Sequence, residues 1–567
     1  MKRNVPSSIF SDRWNKTDFI NIASIAFAWI IMTILVNPIG NFPLNDDWAY
    51  AESVKHLLTT GNFRLPGWAV ANLLPQVLWG ALFCLPFGFS FTALRFSTLT
   101  LGLLGVIVTY GLLKEISVNR KIALIGAFIL AVNPLYFGLA NTFMTDIPHY
   151  TITIISLYFF TLGIKKNFRQ AIFFAVFFAL ISLLIRQVTA ALFLGYAVTY
   201  IVKNKLRIYS SIASVILFIL IPIGIQLVFF QLFWPQNIGN YGAKEQEIIS
   251  EITYINSETI VNFLYFALCA FLYLGCFLFP FLVLAFIIKL YRIKSIAQKS
   301  ILISSLLFTL VIIGAWLFDK KERMPIAGNV LIDWGLGPLT LRDTLLSQAQ
   351  LVPNSLELFW IVMTILAIIG AALLLIFTCF STFQLFLDRQ IFLKERSLIL
   401  LNNSTAFIYF LPLGLSFFFD RYLLLLLPLS MVMVLNSLDK IDSLKLGFKT
   451  WLFILLTILF ISIFTVATTH DYLSWNRIRW QALNNLMQEQ ITPDRIDGGF
   501  EFNGWYLYDP DYPVYQKTQN NEVWWWVVKD DYIIAFSPIK GYTAIEQYTL
   551  KNWLPFPSDR ILVLQKK

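Results

Sequence analysis

Three acidic positions could do chemistry. Asp46 and Asp47 stand together in NPIGNFPLNDDWAYAES, directly after the first long apolar run, and Asp146 lies in NTFMTDIPHY, at the mouth of another. A carboxylate near the end of a membrane helix is costly to desolvate, so it calls for a reason. A bland reason is available for each. The pair could sit in a solvated loop, and Thr145 or Asp146 could cap a helix that has Pro148 in its first turn. The sharper reading is that the helical stretch WAYAESVKHLL lies along the membrane surface and holds the pair at the lip of a cavity, which Asp146 faces from another helix end. Two convergent carboxylates at a membrane–water boundary suit general-base work on a hydroxyl or an amine. His149, three residues beyond Asp146, shares its helical face. Asp-x-x-His could ligate a divalent metal, although His56 and His470 are far away in sequence and the reading requires no cofactor.

Residues of this kind need elements to position them, and the composition says which solvent those elements meet. The chain has 567 residues, 57% hydrophobic and only 13% charged. Soluble domains carry roughly 25% charged residues, so lipid must solvate much of this surface. A net charge of +10 suggests nucleic acid at first sight, but the cations fall in short clusters between apolar runs. There is no glycine-rich phosphate loop and no nucleotide-sugar signature. Cys84, Cys269, Cys276 and Cys379 sit in or beside apolar stretches without a CxxC and read as small buried hydrophobes.

Apolar runs predict thirteen spans, at 18–37, 91–113, 122–139, 148–164, 170–185, 188–202, 208–233, 259–287, 300–318, 353–381, 399–417, 422–437 and 450–468. The first run lacks a small-residue cleavage site and reads as a retained helix. Basic clusters fix the threading, because such loops stay cytoplasmic. Lys114, Arg120, Lys121, Lys165, Lys166, Arg169, Lys203, Lys205, Arg207, Lys289, Arg292, Lys294 and Lys299 fall on one side only if 170–202 crosses twice and 70–88 does not cross at all. The latter, with Pro75 and Pro86, is expected at the outer interface. The N-terminus is then cytoplasmic and the C-terminus outside. The outer loops are 38–90, 234–258 and 319–352. The transmembrane part is 1–468, and 469–567 forms a small α+β domain, where VWWWVVKDDYIIAFSP reads strand, turn, strand. Its Trp505, Trp524, Trp525 and Trp526 could stack on sugar rings or pack a small core.

Five features over residues 15–440 resemble the GT-C glycosyltransferases of the protein O-mannosyltransferase and lipid A aminoarabinose transferase type. They are Asp46-Asp47-Trp48-Ala49-Tyr50-Ala51-Glu52 after the first span, and an interfacial run before Ala93-Leu94-Arg95-Phe96-Ser97. Then come Asn133-Pro134 followed by Met144-Thr145-Asp146-Ile147-Pro148, Arg186-Gln187 between two short helices, and Arg421-Tyr422 opening a run that ends in Pro428. The chain departs from the aminoarabinose transferases at Asn72-Leu73-Leu74-Pro75-Gln76, which stands where they carry Lys-Pro-Pro, and in having Asp-Asp for Asp-Glu.

What the resemblance implies is an α-helical polytopic GT-C fold in the plasma or inner membrane. The activity implied is an inverting transferase that moves a sugar from a polyprenyl-phosphate donor to a glycan, lipid or protein acceptor. Asp46 is the implied base, Asp47 its near alternative, and Asp146 the second acid of the site. A departing lipid phosphate needs cations. Arg421, with Tyr422 beside it, is the first candidate, followed by Lys320, Lys321 and Arg323 in the third outer loop and then by Arg186. His149 is a further substrate contact. A transporter of lipid-linked glycans is the competing reading, and it would place ionisable groups at mid-membrane.

Overall fold

The computed structural model describes residues 14–117, 119–204, 207–233, 250, 253, 255–345, 356–387, 393–438, 447–509, 515–517, 522–527 and 529–567. Among the described residues, nine helices are long and apolar enough to cross a bilayer. They correspond to nine of the thirteen expected spans. The other four are built from shorter pieces. Span 122–139 is the helices Arg120–Ala131 and Pro134–Ala140, bent by 61° where Asn133-Pro134 interrupts the backbone ladder. Spans 170–185 and 188–202 are the helices Arg169–Leu183 and Ala190–Lys203, joined through a 3-10 turn at Gln187–Thr189. Span 422–437 is a 3-10 turn, Asp420–Leu423, followed by the helix Leu426–Asn436. Span 259–287 also divides, into Ser257–Phe277 and Phe279–Arg292, with Pro280 in the first turn of the second helix. The run 70–88 holds one helix, Leu74–Cys84, of 11 residues. At 1.5 Å per residue it is about 16 Å long, too short to span.

Two charged clusters mark the ends of the bundle. At one end, buried Asp18 accepts from Tyr110 (2.7 Å), Lys114 (2.8 Å) and Arg120 (3.0 Å), while Lys165 and Lys166 meet Glu115. At the other end Arg186 meets Asp146. The helix Asp146–Lys166 connects them, so Arg169–Leu183 brings the chain back to the Asp146 end. Lys2, Arg3, Arg13, Lys205, Arg389, Lys440 and Lys445, and most of the expected loop 234–258, lie outside the described residues.

One helix, Phe448–Gln488, runs unbroken through residue 469, over 41 residues or about 60 Å. Its first half is apolar and its second half carries Asp471, Asn476 and Arg479, all buried. Asp471 and Arg479 bind residues that follow the helix. Asp471 accepts from the backbone of Trp553 (2.8 Å) and Leu554 (2.9 Å), and His470 stacks on Trp553. The tail holds a four-stranded sheet in the order Ile496–Asp497, Tyr532–Ala535, Arg560–Lys566, Tyr542–Thr549, parallel at the first pair and antiparallel thereafter. The expected strand-turn-strand is present, but its halves pair elsewhere: Glu522–Trp524 with Tyr515–Lys517, and Tyr532–Ala535 inside the sheet.

Helix packing within the bundle relies on small residues, as it must where lipid supplies no hydrophobic drive. Gly275 of Ser257–Phe277 faces Gly370 and Ala371 of the helix Glu357–Leu387 so closely that a Cβ there would overlap the Ala371 nitrogen and the Gly370 carbonyl carbon. Both partners are backbone and cannot turn aside. Gly275→Val should therefore lower the apparent unfolding temperature of the detergent-solubilised protein, at a cost of ~1–3 kcal/mol for overpacking. The same change at Gly314, which has open space around it, should shift it little. Equal shifts at the two positions would contradict this packing.

Candidate active site

Asp46 ends the loop after the first span, at the N-cap position of the helix Asp47–Thr60, yet its side chain makes no capping bond. Its Oδ1 accepts from Trp68 Nε1 at 3.0 Å and its Oδ2 from Arg421 Nη2 at 3.4 Å. Asp146 opens its helix without capping it either, since Thr145 holds the N-cap position. The Asp146 Oδ1 accepts from Arg186 Nη1 at 2.8 Å, and its Oδ2 lies 3.9 Å from Arg421 Nη1. Charges therefore alternate in one row, Arg186, Asp146, Arg421, Asp46. The guanidiniums lie against rings: Arg186 over Tyr422, and Arg421 beside the Phe419–Tyr422 pair. Neither Thr145 nor Asp146 makes a side-chain capping bond, and Asp46 is held by Trp68 and Arg421 and does not lie loose in a solvated loop.

The row borders a cavity of about 660 Å³. Asp46, Arg186, Arg421 and Tyr422 reach it, with Tyr50, Trp68, Tyr409 and Trp525, and Val70, Val188, Pro412 and Leu413 supply an apolar side. Asp146 is recessed behind the arginines, its side chain 2% exposed against 18% for Asp46.

The neighbouring acids have a different task. Asp47 is buried and accepts from the backbone of Leu44 (2.5 Å) and Phe143 (3.1 Å). It points away from the cavity and ties the loop bearing Asp46 to the loop bearing Asp146. Glu501 accepts from the Asn45 backbone at 3.0 Å and pairs with buried Arg479 at 2.9 Å, with Thr340 donating to it as well. Asp420 accepts from the backbone of Val330 and Leu331 and so anchors the segment after the helix Ile296–Lys320 beside Arg421.

Four sequence candidates fall elsewhere. Lys320 and Lys321 are exposed at the end of the helix Ile296–Lys320, and Arg323 pairs with Asp333 at 2.7 Å; none of the three reaches the cavity. His149 is buried against Thr189, 3.0 Å away, in a chain of hydroxyls that continues to Ser182 and Thr153. Among the described residues no group of three potential ligands could hold a metal. Trp68, Tyr50, Tyr409 and Glu501 were not singled out in sequence. Tyr50 alone gave a local signal, one helical turn beyond Asp46. The tail tryptophans divide: Trp525 lines the cavity, Trp526 is buried among Trp48, Trp68 and Tyr508, and Trp505 stacks on Phe89. The Trp524 side chain lies outside the described residues.

Burial pushes the Asp47 carboxyl up to about 8, against the pull of Arg95 and its two backbone donors. Between about pH 4 and pH 8 the unfolded chain has released this proton while the folded chain keeps it. Stability attributable to the group is therefore full below about pH 4 and falls as pH rises through this window. The apparent unfolding temperature should drop more steeply from pH 5 to pH 8 in wild type than in Asp47→Asn, whatever the variant's starting value. Parallel profiles would show that Asp47 does not titrate there.

Residues 75–234 match the family model described as dolichyl-phosphate-mannose-protein mannosyltransferase, a segment that encloses Asp146 and Arg186 and leaves Asp46 and Arg421 outside. No curated protein matches the chain. Among solved structures, similarity is found to the S. cerevisiae protein O-mannosyltransferase Pmt1–Pmt2 complex bound to the sugar donor, at 15% identity and a TM-score of 0.33 over 41% of this chain and 35% of that one, so this chain spans about a third of that relative. ArnT from Cupriavidus metallidurans is similar in its form bound to undecaprenyl phosphate (11% identity, TM-score 0.47, 97% of this chain and 98% of that one). Its apo form is similar as well (14% identity, TM-score 0.38, 96% and 97%). Residues 75–234 thus carry the mark of the dolichyl-phosphate-mannose-protein mannosyltransferases, in keeping with the GT-C superfamily resemblance read from the motifs.

Proposed function

We propose that the protein is a membrane glycosyltransferase that takes a sugar from a polyprenyl-phosphate donor and passes it to an acceptor hydroxyl or amine in the Asp46 cavity. The observation that carries this reading is a single cavity lined by a partly exposed carboxylate, two arginines and an apolar set, Val70, Val188, Pro412 and Leu413, suited to a prenyl chain. Asp46 accepts the proton of the acceptor. The acceptor atom bonds to the anomeric carbon as the bond from that carbon to the phosphate oxygen breaks. The electron pair leaves with the phosphate, whose growing charge meets Arg186 and Arg421. A single displacement of this kind inverts the anomeric carbon.

Asp46 retains acceptor capacity, since a carboxylate offers about four lone-pair sites and two are engaged by Trp68 and Arg421. Asp146 fixes both arginines from behind. With the basic clusters on the cytoplasmic side, the cavity opens on the extracytoplasmic face.

The test supplies a polyprenyl-phosphate sugar and a panel of acceptors to the purified protein and measures release of polyprenyl phosphate. Asp46→Asn should reduce turnover by ~10²–10⁴, the range for a lost general base. Arg186→Ala should reduce it by ~10²–10³, as for one lost electrostatic contact. Lys320→Ala and Arg323→Ala should stay near wild type. Full activity in Asp46→Asn would refute the assignment of the base.

A further inference from the structure

Arg186 stands in extended conformation between the helix Arg169–Leu183 and the 3-10 turn Gln187–Thr189. A residue in such a place has no regular element of its own to hold it, yet its guanidinium must meet the cavity at a fixed point. Its main-chain N–H donates to the Ser182 carbonyl at 2.9 Å. Its carbonyl accepts twice from Thr189, from the main-chain N–H at 3.3 Å and from the hydroxyl at 3.0 Å. That hydroxyl lies 3.0 Å from His149 Nε2 and 2.9 Å from the Ser182 hydroxyl, and Ser182 lies 2.6 Å from the Thr153 hydroxyl. His149, Thr153, Ser182 and Thr189 are all buried, none more than 3% exposed.

Counting hydrogens gives this network one direction. A carbonyl can only accept, so the single hydroxyl hydrogen of Thr189 goes to Arg186. Ser182 must then donate to Thr189, and Thr153 to Ser182. A hydroxyl oxygen can accept twice, and Ser182 fills one of the two places on Thr189. His149 fills the other, so its Nε2 must carry a hydrogen. Every bond runs toward the Arg186 carbonyl. Asp146, His149 and Thr153 follow at spacings of three and four residues and form one stripe along the helix Asp146–Lys166. Asp146, at the start of that stripe, holds the Arg186 guanidinium at 2.8 Å. Hydrogen bonds between helices commonly hold membrane bundles together. This set ends instead on the main chain of a residue whose side chain the same helix face already holds.

Resting on the glycosyltransferase reading above, we propose that His149 and Thr189 are positioning residues for Arg186, fixing its main chain so that its guanidinium meets the phosphate of the lipid donor. Neither touches the substrate, since neither lines the cavity. Removing either leaves the charge of Arg186 in place but loosens the main chain that carries it, so the loss falls on phosphate binding. His149 serves as a hydrogen donor, so a glutamine can stand in for it and a phenylalanine cannot.

Binding of radiolabelled polyprenyl phosphate to the purified full-length protein in detergent tests this without turnover. Thr189→Val keeps the shape and removes the hydroxyl, and should weaken binding about tenfold, the low end for losing a group that orients a ligand-holding side chain. Thr189→Ser keeps the hydroxyl and should bind close to wild type. His149→Phe should weaken binding as Thr189→Val does, and His149→Gln should weaken it less. In an Arg186→Ala background neither Thr189→Val nor His149→Phe should weaken binding further, because both act through a side chain that is gone. Thr189→Ala, which adds no bulk, serves the same comparison should the larger replacements fold poorly. Equal weakening in both backgrounds would reduce the two residues to a structural role and overturn the proposal, as would no weakening in either, or equal weakening by Thr189→Ser and Thr189→Val. Wild-type binding in Arg186→Ala itself, or no binding by the wild type, would instead count against the proposed function, and the positioning role would fall with it.

Discussion

The site depends on buried carboxylates that hold backbone in place. Asp46 and Asp146 are one hundred residues apart, on separate helices, and nothing local brings them together. Asp47 does so by accepting from Leu44 on one side and Phe143 on the other. Glu501 fixes the residue before Asp46, and Asp420 fixes the loop beside Arg421. An unpaired buried acid would be expensive. Each of these is met by backbone N–H groups, and Glu501 by the Arg479 guanidinium as well. Removing one partner of such an arrangement leaves the other buried and unmet, so the framework is cooperative. Two dipeptides show the division of labour. In Asp46-Asp47 and Asp420-Arg421, one residue turns inward as a staple and its neighbour faces the cavity.

The same logic explains how the sequence could be read and where it fell short. Nine spans followed from length and hydropathy because a helix in lipid must satisfy its own backbone. The paired short helices around Arg186 followed from charge, since one crossing would have set Lys165 and Lys203 on opposite sides. The acids stood out because they are rare near helix ends. Asp46 ranked ahead of Asp47 only through the family resemblance, since nothing in the residues themselves separates the two. Their roles separate only when one carboxylate meets Trp68 and Arg421 and the other meets two backbone amides. Lys320 and Arg323 were placed on the correct loop, but loop membership does not say which way a side chain turns. Asp333, ten residues on, holds Arg323.

Nor could the sequence show that the tail helps to form the cavity. Composition changes near residue 469, and a boundary there is the natural reading. The helix Phe448–Gln488 ignores it, because a helix can leave the bilayer and continue in water once its exposed face becomes polar. Its extension carries Arg479 to Glu501, and through Glu501 the tail reaches Asn45. Phe500 and Trp525 then line the cavity, over an aromatic cluster with Trp48 and Trp68. The tail is one wall of the site, and the Trp68 indole that donates to Asp46 is held between that wall and the first loop.

The order of charges also bears on how the proposed reaction could run. Arg421 sits between Asp46 and Asp146, 3.4 Å from the first and 3.9 Å from the second. While Asp46 is ionised, part of the Arg421 charge is spent on it. When Asp46 takes the acceptor's proton, that pairing weakens at the moment the departing phosphate becomes more negative. Arg421 is then released toward the phosphate without moving, because Asp146 and the Phe419 and Tyr422 rings still hold it. Arg186 has no such exchange to make, since its close partner is the recessed Asp146. In the proposed reaction the two arginines are thus unequal: Arg186 offers a field that stays constant and suits binding, while Arg421, charged throughout, is less neutralised once Asp46 is protonated and so favours the transition state over the bound donor.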